Sequence, residues 1–436
     1  MVRPERWDCP LPIMEESERI KNILLPRHGV ATQRADSCYD AEMGDDYAVR
    51  ELLGYAEPEP VDLSQVIDTR AVKLDLLNPK LLAQALPLSP SSVATTYNAR
   101  KELAAIHTYQ DDRLAVAIGE CGVHNMEVTR DNAKLAKEFQ EKFPNLLILL
   151  RVFVEKPRTP PKKGEPDPWK GFIYDPRKDG SNDINLGVIA SRMLACRITD
   201  FGQPTVKEQL NPLTPQFTDG GITQENSGAR NANDQTLMEL LSGSSAVVGN
   251  KNALSGDVES AIQASSYVGR PHTFIGISHR GRMEIVQTTG NNYAHLVFRG
   301  GKNGRNFFPD DIERAKIIAD AYGVTPSIDI DVSHDNSIVM EDGVPVKRAI
   351  NQLVGVEIVS EQIAQGEDAI RSVEMETSIV GGKQLFKIGD DPSKLDKRSI
   401  TDEVIGPEET AQALAQLDEA TAKRRECKTV RAVRRD

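Results

Sequence analysis

The most informative stretch of the chain is Leu146-Leu147-Ile148-Leu149-Leu150-Arg151-Val152-Phe153-Val154-Glu155-Lys156-Pro157-Arg158-Thr159. Its apolar run predicts a strand that is buried on both faces, as in a parallel sheet. Arg151, Lys156 and Arg158 follow at the carboxyl end of this strand, which is where α/β barrels bind their ligands. We interpret the stretch as a phosphate-binding strand end. Taken alone, it is equally compatible with a core strand followed by an ordinary solvated basic loop.

Composition narrows the class of protein. The chain has 436 residues, of which 39% are hydrophobic and 27% are charged, as in a globular protein with a full-sized core. Its net charge of −12 argues against nucleic acid or an anionic membrane as the main partner. Five scattered cysteines without a CxxC pair indicate a reducing cytoplasm, and we find neither a signal peptide nor a membrane span. We therefore expect a cytoplasmic protein that holds any anionic ligand with locally clustered cations.

Strand-like runs alternate with helical periods from about residue 67, which is the pattern of stacked βα units. The predicted strands lie at 113–119, 146–154, 204–210, 228–230, 246–251, 295–299, 327–332 and 369–376. Two further runs, 272–278 and 283–288, flank Arg280-Gly281 and predict an inserted β-hairpin. The remaining eight strands fit a closed (β/α)8 TIM barrel, an α/β fold, better than an open sheet. We expect a partly irregular N-terminal extension at 1–66 and a barrel at 67–436, with the hairpin insertion at about 272–288.

Chemically informative side chains recur at the carboxyl ends of the predicted strands. One set can ligate a divalent metal ion such as Mn, Fe, Co or Zn: Cys121, His334, Glu376 and Asp402. The other set can hold phosphates or carboxylates, and arginine favours a bidentate grip: Arg151, Lys156, Arg158, Arg230, Lys251 and Arg299. Each residue alone has an ordinary explanation, such as a buried cysteine, a turn histidine or a solvated lysine. Their recurrence at one end of successive strands favours a joint metal and phosphate site.

At these residues the sequence resembles the class I 3-deoxy-D-arabino-heptulosonate 7-phosphate (DAHP) synthases, the first enzymes of the shikimate pathway. The resemblance extends from about Asp68 to Glu426. Its most specific pieces are Lys156–Thr159, Trp169–Gly171 with Asp175-Pro176, Gly180–Asn185 and Arg299–Lys302. Shorter matching pieces are Asn98–Lys101, Asp111–Leu114, Ser333-His334 and Ser399–Asp402.

The resemblance implies a metal-dependent transferase of aromatic amino acid biosynthesis. It would condense phosphoenolpyruvate with erythrose 4-phosphate and release inorganic phosphate. The implied metal ligands are Cys121, His334, Glu376 and Asp402, and the implied catalytic residues are Lys156, Cys121 and His334. The implied phosphoenolpyruvate contacts are Arg151, Lys156, Glu208, Ala229, Arg230, Lys251 and Arg299. The implied contacts to the aldose phosphate are Pro157, Arg158, Thr159 and Asp402. A homodimer or homotetramer is expected by the same resemblance.

The sequence departs from the family pattern near several of these residues. Gly-Pro-Cys-Ser-Ile-His-Asp reads Gly-Glu-Cys-Gly-Val-His-Asn at 119–125, and Thr-Thr-Glu-Ser-Gln reads Asn-Ala-Asn-Asp-Gln at 231–235. Ser-His-Ala-Asn-Ser reads Ser-His-Asp-Asn-Ser at 333–337, and Pro160 replaces a threonine. Two alternatives therefore stay open. The first is a paralogue that condenses phosphoenolpyruvate with a different aldose phosphate in specialised metabolism. The second is a non-catalytic barrel with a binding or regulatory role, although no metal ligand or anion-binding arginine is lost.

Overall fold

The computed structural model describes residues 13–25, 70–71, 73–157, 160–165 and 167–433, with the backbone alone for 429–433. Most of the predicted extension at 1–66 lies outside these ranges. Within them it contributes one helix, α1 at Ile13–Leu24. This helix packs apolar side chains such as Ile13 and Ile20 against the main core. The predicted division into an extension and a barrel domain stays a prediction.

Twelve strands form in the described part of the chain. They are β1 Leu114–Gly119, β2 Leu146–Arg151, β3 Thr205–Gln209, β4 Gln224–Ser227, β5 Val247–Lys251, β6 Thr273–Ile277, β7 Met283–Gln287, β8 His295–Phe298, β9 Ile328–Asp331, β10 Ile338–Glu341, β11 Val344–Lys347 and β12 Ile370–Glu376. Eight of them close into a barrel in the order β1-β12-β9-β8-β5-β4-β3-β2, and every pair in the barrel is parallel. The predicted (β/α)8 TIM barrel is confirmed.

Helices connect the barrel strands and cover their outer faces. Those that follow α1 are α2 Pro79–Ala85, α3 Pro90–His107, α4 Met126–Lys142, α5 Ile184–Asp200, α6 Pro215–Thr218, α7 Gln235–Ser242, α8 Val258–Val268, α9 Pro309–Ala321, α10 Gln352–Ala364 and α11 Pro407–Val433. Side-chain caps fix several of their starts, as where Ser89 accepts from the backbone N–H of Ser92. Among the helices in the described ranges, none combines the length and the apolarity that a membrane span requires.

The apolar run Leu146–Leu150 behaves as its pattern predicts. Every residue of β2 is buried. Leu146, Ile148 and Leu150 join the large cluster between the strands and the helices, whereas Leu147 and Leu149 join a smaller cluster with residues such as Val206 and Val247 of other barrel strands. Because side chains alternate along a strand, Arg151 continues the series of Leu147 and Leu149 into the barrel interior.

The inserted hairpin is present, and a second one was not predicted. β6 and β7 pair in antiparallel fashion, as expected from Arg280-Gly281. β10 and β11 form another antiparallel hairpin between β9 and α10, where the sequence was interpreted as a connection. The strand predicted at 228–230 is wrong, because β4 occupies Gln224–Ser227 instead. The other predicted barrel strands are found with shifts of a few residues at their ends.

A close backbone contact within the fold gives a test of its packing. A Cβ at Gly187, in the first turn of α5, would lie 1.9 Å from the backbone oxygen of Ile173. Gly187→Ala should therefore lower the free energy of unfolding by roughly 3 kcal/mol, although alanine ordinarily favours a helix interior. Urea denaturation measures the loss. The matched control is Gly355→Ala in α10, where the nearest atom is the side-chain Cβ of Val332 at 3.0 Å. Equal losses in the two variants would contradict the close contact at Gly187.

Candidate active site

The predicted site residues gather at the carboxyl mouth of the barrel. Arg151, Lys251 and Glu376 are the last residues of β2, β5 and β12, and Arg299 follows β8 directly. Glu208 lies near the end of β3. Because all eight barrel strands run parallel, these positions share one end of the barrel. Arg158 and Thr159 lie outside the described residues.

Three of the four predicted metal ligands form one cluster. The thiol of Cys121 and carboxylate oxygens of Glu376 and Asp402 lie within 4.8 Å of one another. Cys121 and Glu376 are buried and Asp402 is partly exposed. Beside them opens a cavity of about 290 Å³ that Lys347, Glu376 and Asp402 help to line. A thiol and two carboxylates suit several divalent transition metal ions.

His334 stands at the edge of this cluster rather than within it. Its Nε2 atom lies 3.5 Å from Oε1 of Glu376, and its Nδ1 atom lies 2.7 Å from Oδ2 of Asp331. Burial acts to raise the pKa of Asp331, but His334 and Lys251 hold that pKa well below its usual range. The Asp331 carboxylate thus fixes the orientation of the imidazole ring and directs its Nε2 atom toward the Glu376 carboxylate. His334 therefore presents a ring nitrogen, a common protein ligand of divalent metal ions, beside the acidic cluster.

Two lysines neutralise the acidic cluster. Lys156 donates to the carbonyl oxygen of Cys121 at 2.7 Å and to its sulfur at 3.1 Å. Lys347, from the second hairpin, donates to Asp402 at 2.7 Å. Burial acts to lower the pKa of Lys347, but Glu376 and Asp402 outweigh it and the pKa is raised. Burial and Glu376 raise the pKa of the Cys121 thiol, against the opposing effect of Lys156.

The predicted anion-binding cations form a second cluster beside the first. Arg151 and Lys251 are buried, and both lie against the ring of Phe153. The ring centroid is 4.0 Å from the guanidinium carbon of Arg151 and 5.3 Å from the ammonium nitrogen of Lys251. Arg151 contacts Glu374 at 2.8 Å and Glu376 at 3.3 Å. Lys251 lies 3.1 Å from Glu208. The cations are therefore held in place by carboxylates and an aromatic face.

The rest of the predicted phosphate site lies at the rim. Arg299 is almost fully buried and donates to Asp335 at 2.8 Å. Arg230 is exposed, whereas Ala229 and Pro157 are partly buried. The rim thus adds an exposed arginine to the buried pair Arg151 and Lys251.

Glu120, which the sequence places beside the Cys121 thiol, is turned away from it. Its carboxylate contacts Nδ1 of His124 at 2.6 Å and accepts from the hydroxyl of Thr129 at 2.9 Å. Its carbonyl oxygen accepts from Nε of Arg151 at 3.3 Å. Glu120 therefore supports the neighbouring loop and is not part of the acidic cluster.

Sequence reasoning missed three functional neighbours. Asp331 and Glu374 are buried acids that contact the predicted site residues, and Lys347 reaches Asp402 from the unpredicted hairpin. The alternation of a strand could have found Glu374, because it lies two residues before Glu376 and shares its face. Asp331 could have been found because it is the last residue of β9 and so lies at the same mouth of the barrel. Nothing in the local pattern around Lys347 pointed to Asp402, which is distant in sequence.

A larger cavity of about 400 Å³ lies at the opposite mouth of the barrel, where His107 and Ser327 precede β1 and β9. Arg270 is the one arginine, lysine or acidic residue among the described residues that line it. This cavity is therefore less suited to a multiply charged substrate than the smaller cavity at the carboxyl mouth.

Comparison with known proteins gives one consistent result. Residues 91–415 match the model of the DAHP synthetase I family. The chain is 34% identical over 372 residues to a tyrosine-inhibited phospho-2-dehydro-3-deoxyheptonate aldolase of Schizosaccharomyces pombe, covering 84% of this chain and 96% of that protein. It is 36% identical over 352 residues to the Phe-sensitive enzyme of the same name from Escherichia coli K12, covering 80% and 96%.

A solved structure agrees with these sequence matches. The phospho-2-dehydro-3-deoxyheptonate aldolase of Francisella tularensis superposes with a TM-score of 0.75 at 34% identity. The match covers 81% of this chain and 99% of that chain. Both the sequence and the barrel are thus similar over most of the chain.

The charge balance at the mouth can be tested through stability. Lys251→Met should lower the free energy of unfolding by roughly 3–5 kcal/mol, because Glu208, Asp331 and Glu374 lose a buried cation that lies 3.1–3.7 Å from each. The matched control is Lys316→Met, which breaks a partly exposed pair with Glu367 and should cost at most about 1 kcal/mol. Urea denaturation at neutral pH compares the two. If Lys251→Met lowered the free energy of unfolding no more than Lys316→Met does, Lys251 would not stabilise the buried acids around it.

Proposed function

Because the chain belongs to the DAHP synthetase I family, we propose that it is a 3-deoxy-7-phosphoheptulosonate synthase that uses a divalent metal ion. Its substrates are phosphoenolpyruvate and erythrose 4-phosphate, and its products are 3-deoxy-D-arabino-heptulosonate 7-phosphate and inorganic phosphate. This is the first step of the shikimate pathway. The observation that carries the proposal is the meeting of Cys121, Glu376 and Asp402 next to buried cations.

The cations bind phosphoenolpyruvate and hold it in position for reaction. Arg151, Lys251 and Arg299 present donors at one mouth of the barrel, and a phosphate with an adjacent carboxylate needs several such donors. Glu374, Glu208 and Phe153 fix the directions of the two buried cations. Fixed donors lower the barrier because little reorganisation remains when the substrate reacts. Ala229 and Arg230 complete this subsite at the rim.

The metal ligands define the subsite of the aldose phosphate. Cys121, His334, Glu376 and Asp402 would hold the divalent ion, which would supply Lewis-acid polarisation of the aldehyde when bound. Pro157 and Asp402, together with Arg158 and Thr159, orient the aldose phosphate. C3 of phosphoenolpyruvate then forms the new bond to the aldehyde carbon, water adds at C2, and C–O cleavage releases phosphate.

Lys156 links the two subsites. Its ammonium group contacts the sulfur of Cys121, and it lies 6.0 Å from the centroid of the same Phe153 ring that supports Arg151 and Lys251. From this position its Nζ proton can pass to the alkoxide that forms when the aldehyde is attacked. The same ammonium group also contributes positive charge to phosphate binding.

Removing a metal ligand should greatly slow the reaction. Cys121→Ala and His334→Ala should each lower the rate of phosphate release by roughly 100- to 1000-fold, the scale of losing one preorganised electrostatic contact. Phosphate release is measured with both substrates present, after treatment with a chelator and again after addition of Mn²⁺, Co²⁺ or Zn²⁺. Cys196→Ala, a thiol on α5 outside the cluster, serves as the control. Full activity in either ligand variant, or activity that survives the chelator, would rule out the metal role.

A different aldose phosphate is the second candidate substrate. The substituted residues Asn231 and Asp234 follow Arg230 within four positions of the chain, and Asn231 donates to the carboxylate of Asp234 at 3.2 Å. Asp335 likewise adds an acid beside Arg299. Comparing phosphate release among aldose phosphates of different chain length distinguishes the candidates. A protein inactive with all of them would instead be the non-catalytic barrel.

A further inference from the structure

Arg299 already has an anion bound to it within the chain. Its Nη1 atom donates to Oδ2 of Asp335 at 2.8 Å. Asp335 stands where the family pattern described above carries alanine, so this contact belongs to the chain's own sequence. The arginine side chain is 9% exposed and the aspartate side chain 30% exposed. A carboxylate therefore covers one edge of an arginine that the proposed function assigns to phosphoenolpyruvate.

The backbone holds Asp335 at this place. The N–H of Asn336 donates to the carbonyl oxygen of Arg299 at 3.2 Å, and the Asn336 side chain donates to the carbonyl oxygens of Phe298 and Asp331. Gly300 has a φ of +72°, and a Cβ there would lie 2.8 Å from the carbonyl carbon of Asp335. The two segments are thus in close contact, and the Asp335 side chain extends from them partly into solvent.

The partners of the other cations differ from Asp335. Arg151 and Lys251 contact acids that are almost fully buried, and each of these two cations contacts more than one acid. Those acids are almost completely removed from water and remain beside their cations. Asp335 is partly exposed and can leave Arg299 at a small solvation cost, so it is the acid that an incoming anion can displace.

We propose that Asp335 is an internal competitor for the phosphate-binding edge of Arg299, and that it sets the affinity of the site for phosphate groups. The inference rests on the proposed function only in assigning Arg299 to a phosphate group. A phosphate group must displace the Asp335 carboxylate or bind beside it, and either choice weakens binding, since like charges at short distance repel. Inorganic phosphate, as a released product, is held less tightly for the same reason.

Two substitutions at this position test the inference. Asp335→Asn keeps the size and an acceptor oxygen but removes the charge, and Asp335→Ala removes both. Each should tighten the binding of inorganic phosphate, measured by isothermal titration calorimetry, by roughly tenfold. Each should also lower KM for phosphoenolpyruvate, because the substrate phosphate would bind more tightly as well. Asp320→Asn, an exposed acid on α9, is the control for the change in net charge and should leave both values unchanged.

The outcomes separate this inference from the proposed function. Unchanged or weaker phosphate binding in both variants overturns the inference, and so does weaker binding in Asp335→Ala alone, because Asp335 would then position Arg299. Phosphate binding requires no turnover. A protein that condenses no aldose phosphate, yet binds phosphate more tightly in both variants, would therefore lose the proposed function and keep the inference. A protein that condenses its substrates with unchanged phosphate affinity in the variants would keep the function and lose the inference.

Discussion

The balance of buried charge at the carboxyl mouth of the barrel is the constraint on which the rest of the site depends. Arg151 and Lys251 are almost completely removed from water. Moving such ions out of water costs several kcal/mol each unless acids are placed beside them. Burial alone would lower the pKa of Arg151, but Glu374 and Glu376 raise it overall. The barrel interior therefore carries acidic side chains at levels where most barrels place Val, Ile or Leu.

The same balance explains which parts of the fold could be predicted from the sequence. The sequence predicts β2 correctly because the buried residues of this strand form an unbroken apolar run. It predicts the site residues at the strand ends because parallel strands of a barrel all end at one mouth. β4 was misplaced because its four residues, Gln224–Ser227, are all polar and all buried. Their partners are distant in sequence: Glu225 contacts Lys207 at 3.1 Å, and Asn226 donates to Glu374. A pattern based on apolar periodicity has no signal for a strand whose burial is stabilised by paired polar groups.

Two acids on one strand have pKa values that shift in opposite directions, which shows that the charge balance depends on the immediate neighbours of each acid. Asp329 and Asp331 lie two residues apart on β9, and both are fully buried. Burial and the neighbouring acids Glu374 and Asp331 raise the pKa of Asp329 well above its usual range. For Asp331, burial acts in the same direction, but His334 and Lys251 lower its pKa overall. The acid nearer the mouth thus stays charged and orients His334, whereas the deeper acid holds its proton and adds no charge to the interior.

The departures from the family pattern consequently differ in what they change. At 120 the new carboxylate is directed to His124 and Thr129, and its charge does not enter the acidic cluster. At 122 glycine replaces the serine of the pattern, and a Cβ there would lie 2.8 Å from Cδ of Lys156. Glycine thus lets the lysine stem pass close to the Cys121 loop, so that its ammonium group reaches the thiol. Asp335 instead adds a charge directly on an anion-binding arginine, with no second cation among its described contacts. The first two substitutions preserve the arrangement around the thiol, and the third changes the electrostatics that a substrate meets.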